Sequence, residues 1–98
     1  MIASNEKYSW VPEKREANKR ERGLDIVELA DFIFADPNVV IVPDARNDYG
    51  ENRYLAFAMI ADERFSLCFT PRGDKIHLIT IFKRHNDRQW RLDYEEQT

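Results

Sequence analysis

Between Arg53 and Phe82 the sequence holds three apolar runs, separated by connections too short to be anything but turns. They are R-Y-L-A-F-A-M-I-A from Arg53 to Ala61, R-F-S-L-C-F-T from Arg64 to Thr70, and K-I-H-L-I-T-I-F from Lys75 to Phe82. Such runs fit pleated, partly buried strands. Asp62-Glu63 is expected to turn the chain between the first two, and P-R-G-D between the second two. Strands joined this closely pair antiparallel with their sequence neighbours, because parallel pairing needs a crossover of a dozen or more residues. A further β-branched run, Val39 to Val42, is closed by Pro43 and precedes them across the turn-rich loop D-A-R-N-D-Y-G-E-N. The expectation is an antiparallel β-meander of about four strands.

The first third of the chain carries helical periodicity instead. Tyr8 to Trp10 reads as a short strand. Pro12 then suits the first turn of a helix, where a missing N–H costs nothing. That helix runs to about Arg22 and stops at Gly23, a favourable residue beyond a helix C-terminus. It is polar all round, so it has no apolar face to bury. Glu16 and Arg20 stand four apart and are expected to pair. Arg15, Lys19 and Arg22 fall on one stripe. A solvated face and a nucleic-acid contact are both open readings of it.

The second helix starts at Asp25, with Glu28 three residues on as in a capping box, and Leu24 and Leu29 at the staple positions. Ile26, Leu29, Ala30 and Ile33 form its apolar stripe, and Asp36-Pro37 ends it. Asn86 followed by Gln89 suggests a last helix running to about Glu95, with Trp90 and Tyr94 docking it on the sheet. Two helices, a meander and a C-terminal helix make an α+β fold. At 98 residues one domain is expected, spanning residues 1–98.

Charge bounds the function. The formal net charge is −3, whereas domains that live on nucleic-acid phosphates are usually basic, so any phosphate site must be a local patch. Cys68 is the single cysteine and lies in F-S-L-C-F, which reads as core. No run is long enough to span a membrane, and the first residues lack the apolar stretch of a signal peptide. A cytoplasmic location is expected.

No metal-ligand spacing, phosphate loop or nucleophile triad can be read, so no cofactor and no metal are expected. Any chemistry must come from arginine, lysine, histidine and tyrosine. Those types suit cleavage of RNA by its own 2′-hydroxyl, where a protein stabilises charge on phosphorus and relays protons. The candidates are Arg53 at the start of a strand, Arg72 in a hairpin turn, His77, Lys83 and His85. His77 alternates with Ile79 and Ile81, which allows either a half-buried structural role or an acid–base one. Lys83, Arg84, His85 and Arg88 form a basic knot after the last strand. Tyr49 and Tyr54 could stack on a base, although Tyr54 also suits packing.

The order of several short motifs resembles the BrnT toxins of bacterial type II toxin–antitoxin systems. Trp10, Lys14, Asn18 and Gly23 match a pattern close to W-D-x-x-K-x-x-x-N-x-x-K-H-G. Phe34, Asp36 and Pro37 match F-x-D-P; Tyr49, Gly50, Glu51 and Arg53 match Y-G-E-x-R; Thr70, Arg72 and Gly73 match part of Y-T-x-R-G. The resemblance runs from about Tyr8 to Glu95. It implies a RelE-like α+β fold and a ribonuclease that inhibits translation. It also implies neutralisation by a BrnA-like antitoxin with a ribbon-helix-helix domain, which would link the chain to DNA only indirectly. On this reading Arg53 and Arg72 clamp phosphate and His77 or His85 moves protons. Lys83 adds charge, and Arg15, Lys19, Arg22, Arg84 and His85 contact RNA.

The chain departs from the family pattern at Val11, at Glu21-Arg22, and along its last strand. There His77 stands for an arginine, Thr80 for a serine and Phe82 for the final arginine. These departures, with the acidic net charge, motivate an alternative: a catalytically silent relative that acts by binding another protein, such as an antitoxin or the target of a mobile-element inhibitor.

Overall fold

The structure is a computed structural model and describes residues 1–44 and 50–84. Its elements are strands β1 (Ala3–Ser4) and β2 (Tyr8–Trp10), helices α1 (Pro12–Arg22) and α2 (Ile26–Ala35), and strands β3 (Val40–Pro43), β4 (Tyr54–Ile60), β5 (Glu63–Arg72) and β6 (Lys75–Arg84). The helix expected near residues 86–95 lies outside the described residues.

Among the described residues the sheet has six strands in the order β1-β2-β6-β5-β4-β3. It is mixed: β2 runs parallel to β6, and every other pair is antiparallel. This corrects the expected four-stranded antiparallel meander. Connections between sequence neighbours do set β3 to β6 side by side. They carry no information about β2, which finds its partner across both helices and three strands. Placed beside β6 at Tyr8↔Ile76, Ser9↔His77 and Trp10↔Leu78, it extends the sheet past the meander, and β1 adds the outermost strand.

Both helix termini are closed as the sequence anticipates. Gly23 takes a left-handed conformation, φ 68°, and its N–H donates to the Lys19 carbonyl. The Asp25 carboxylate accepts from the N–H groups of Val27 and Glu28, capping α2. At the far end of α2 the Asp36 carboxylate accepts from the Met59 N–H at 2.9 Å, fastening the helix to β4. Glu16, however, reaches Lys19 at 3.7 Å, while Arg20 lies 3.9 Å from Glu21, so the expected Glu16–Arg20 pair is replaced.

The core lies between α2 and one face of the sheet. Ile26, Ala30 and Ile33 pack against Ala56, Ala58, Phe65, Leu67, Phe69, Leu78 and Ile81. Ala56 and Ala58 carry little bulk, which lets the helix sit close over β4. Helix α1 contributes nothing apolar to this core; its buried residue is Asn18. No helix among the described residues is long and apolar enough to cross a membrane.

One irregularity decides which side chains share a face. The β5–β6 ladder shifts register between Cys68 and Phe69: Cys68 pairs Thr80, but Phe69 pairs Leu78. The extra residue in β6 reverses its alternation. Leu78 and Ile81 therefore both enter the core, while His77, Thr80, Phe82 and Arg84 face the other way, opposite Thr70, Cys68, Ser66 and Arg64. The expected grouping of His77 with Ile81 is corrected by this bulge. The turn before β5 also differs: the left-handed residues are Ala61 (φ 51°) and Asp62 (φ 66°), one position earlier than expected.

Candidate functional site

On the sheet face away from α2, a cleft of about 190 Å³ is lined by Val11, Lys14, Glu51, Arg53, Arg72, His77, Leu78 and Ile79. Its side chains come from separate parts of the chain. The end of β2 and the first turn of α1 supply Val11 and Lys14, and the approach to β4 supplies Glu51 and Arg53. Arg72 closes β5, and β6 supplies His77. The β2–β6 pairing brings the N-terminal part to the rest.

Glu51 sits between the two arginines. Arg53 Nε lies 3.4 Å from its Oε1 and Arg72 Nη2 lies 3.2 Å from its Oε2. The hydrogen bond from Arg72 holds the Glu51 carboxyl below the usual carboxylate range, and Arg53 adds to the effect. No carboxylate among the described residues lies in ion-pair range of Lys14. Lys14, Arg53 and Arg72 together outweigh Glu51, so the cleft is cationic on an acidic chain.

His77 is 5% exposed, and its Nδ1 lies 2.9 Å from Ser9 Oγ. Burial lowers its pKa first, the Arg72 charge lowers it further, and Lys14 and Arg53 act in the same direction against Glu51. The imidazole is thus kept neutral near neutral pH. The Ser9 hydroxyl, which can donate or accept, fixes the ring orientation. A neutral imidazole beside guanidinium groups can take a proton from a hydroxyl while the cations stabilise negative charge on phosphorus. Among the described residues no group of three or more His, Cys, Asp or Glu is placed to hold a metal ion.

Of the residues singled out in the sequence, the structure gathers Arg53, Arg72 and His77. It separates the others. Arg15 makes a two-pronged pair with Asp25, Nε–Oδ1 3.0 Å and Nη2–Oδ2 2.9 Å, and lies over the Trp10 ring, so its charge is spent within the fold. Lys19 is turned to Glu16. Lys83 is opposite Phe65 in the ladder and pairs with Glu63 at 2.7 Å, so it and Arg84 leave β6 on opposite faces; the basic knot is split by strand alternation. Arg22 and Arg84 both approach Phe82. His85 lies outside the described residues.

Lys14, Glu51 and Ser9 were not among the expected site residues. Glu51 stands two before Arg53, a spacing that hints at their contact. Lys14 heads the i, i+4, i+8 series Lys14, Asn18, Arg22, a signal visible in the sequence. Ser9 gives no such sign, since its position beside His77 depends on the parallel pairing.

A family model described as "Ribonuclease toxin, BrnT, of type II toxin-antitoxin system" matches residues 10–87, a span that contains every residue lining the cleft. No curated protein matches the chain.

Proposed function

Because the chain belongs to the BrnT family of ribonuclease toxins from type II toxin–antitoxin systems, we propose that its cleft cleaves RNA through attack of a 2′-hydroxyl on the adjacent phosphorus. The observation that carries the reading is the neutral, buried His77 set among Lys14, Arg53 and Arg72. The incoming phosphate displaces the Glu51 carboxylate as the partner of both guanidinium groups. His77 accepts the 2′-hydroxyl proton as the 2′-oxygen bonds to phosphorus. The bond to the 5′-oxygen breaks and that oxygen takes a proton from solvent, leaving a 2′,3′-cyclic phosphate and a 5′-hydroxyl, after which His77 returns its proton to solvent. Arg53 and Arg72 neutralise the charge that builds on the phosphoryl oxygens between bond formation and bond cleavage.

A toxin of this class is paired with an antitoxin protein. A BrnA-like antitoxin, with a ribbon-helix-helix domain that reaches operator DNA, is the partner proposed here, with inhibition of translation as the result of cleavage. Arg15 and Lys83 fall outside this site, each being held by a carboxylate.

The test is incubation of pure protein with RNA and analysis of product ends, with Arg72→Ala as control. Cyclic phosphate ends that vanish in the variant support the reading. A well-folded wild-type protein that leaves RNA intact overturns it and favours the alternative, a fold retained for binding a protein partner.

A further inference from the structure

Helix α1 buries no apolar side chain, yet one of its faces is ordered against β6. Lys14, Asn18 and Arg22 follow one another at intervals of four and so stand in one row. Hydrogen bonds run along that row. Asn18 Nδ2 donates to the Lys14 carbonyl at 2.9 Å, and Arg22 Nη1 donates to Asn18 Oδ1. Asn18 itself is 3% exposed. At one end of the row Lys14 lines the cleft with His77. At the other end the Arg22 guanidinium carbon lies 4.3 Å from the centre of the Phe82 ring, with that of Arg84 at 5.3 Å from the same ring.

The β-bulge makes this alignment possible, because it puts His77 and Phe82 on the same face of β6 despite their odd spacing. The row from Lys14 to Arg22 rises about 12 Å along the helix. That length reaches beyond a single phosphate. Among the described residues no carboxylate lies in ion-pair range of Arg22. Arg22 is also held in place, by Asn18 on one side and by the ring on another. Less freedom is then lost when its remaining N–H groups take a ligand.

We propose that Arg22, seated on Phe82 and anchored by Asn18, is a second phosphate subsite: it takes a phosphate further along the strand than the one held at His77. The inference rests on the RNA-cleaving reading of the cleft, since it extends the same strand along α1. Phe82 then serves as the platform that delivers a guanidinium from the helix to the outer face of the sheet.

The experiment uses 2′-O-methyl oligouridine, which binds but cannot be cleaved, and the corresponding dinucleotide with its single phosphate. Binding of both is followed by fluorescence anisotropy across a salt series for wild type, Arg22→Ala and Arg72→Ala. Arg22 is exposed at a helix end, and circular dichroism checks that the fold survives its loss. The expected result is that Arg22→Ala weakens the oligomer by roughly an order of magnitude at low salt and lowers the salt slope by about 0.7, the share of one phosphate on a single strand. Dinucleotide binding stays at the wild-type level. If Arg22→Ala binds the oligomer as wild type does while Arg72→Ala loses it, the subsite is wrong and the cleft reading stands. If wild type binds neither probe, the cleft reading falls and the subsite with it.

Discussion

Ser9 Oγ lies 2.9 Å from His77 Nδ1, and the same two residues are partners in the parallel ladder between β2 and β6. The contact buries an imidazole where burial, and then the Arg72 charge, disfavour its protonated form. The sign of the resulting pH dependence follows. The unfolded chain takes up its proton near pH 6.5, while the folded state resists it to lower pH. The contribution of His77 is therefore complete above that value and is lost as pH falls through it toward the folded-state value. Melting temperatures measured over this window should decline more steeply for wild type than for His77→Asn. Parallel profiles would show that another group carries the linkage.

Arg15 and Asp25 join the two helices through a pair that also caps α2, since Asp25 accepts from the Val27 and Glu28 N–H groups as well. Asp25 is the more enclosed partner, its side chain 12% exposed against 29% for Arg15. Arg15→Ala should cost about 1–2 kcal/mol, the range for a partly buried charge-assisted pair discounted for exposure. Asp25→Ala should cost more, because a helix cap worth about 1 kcal/mol goes with it. Urea titrations of both variants and the double variant measure the coupling. Neither should change binding of the 2′-O-methyl oligomer; a loss in Arg15→Ala would return Arg15 to the RNA surface.

How much of this was legible in the sequence depends on the range of the interaction. Local chemistry was readable: Gly23 as a helix stop, Asp25 as a cap, and the apolar stripe of α2 that became core. Arg53 and Arg72 were readable because charged residues at the ends of apolar runs mark where strands meet solvent. The parallel β2–β6 pair was not, because nothing in three residues names a partner more than sixty positions away. The bulge near Phe69 was hidden too. A strand alternation read without it puts His77 with Ile81, and only the shifted register separates them. Ser9, which depends on the first of those features, was correspondingly out of reach, and Phe82 was visible only as the residue standing where the family has its final arginine.

The β4–β5 turn offers a test of backbone strain. Ala61 and Asp62 both take positive φ, 51° and 66°, conformations that a side chain disfavours and that Asn-Gly accepts readily. Both residues are exposed, so replacing them removes no packing. The double variant Ala61→Asn, Asp62→Gly should be more stable by about 1 kcal/mol. Denaturant midpoints at unchanged slope check this, and an unchanged or lower midpoint would mean that the turn is not strained.

Glu51 presents the last and most informative substitution. Its carboxylate accepts from Arg72 and Arg53, so in the absence of RNA it occupies the place proposed for phosphate. Glu51→Gln removes the competing charge and keeps the shape. Because these pairs are partly exposed, the cost in stability should stay within about 1 kcal/mol. Binding of the 2′-O-methyl oligomer should tighten, since an added phosphate no longer displaces an anion, and the Michaelis constant for cleavable RNA should fall. The maximal rate should hold if His77 is the base. Tight binding joined to lost cleavage would instead assign the proton transfer to Glu51 itself, and the pH profile of the rate would then follow a carboxylate held below its usual range rather than an imidazole.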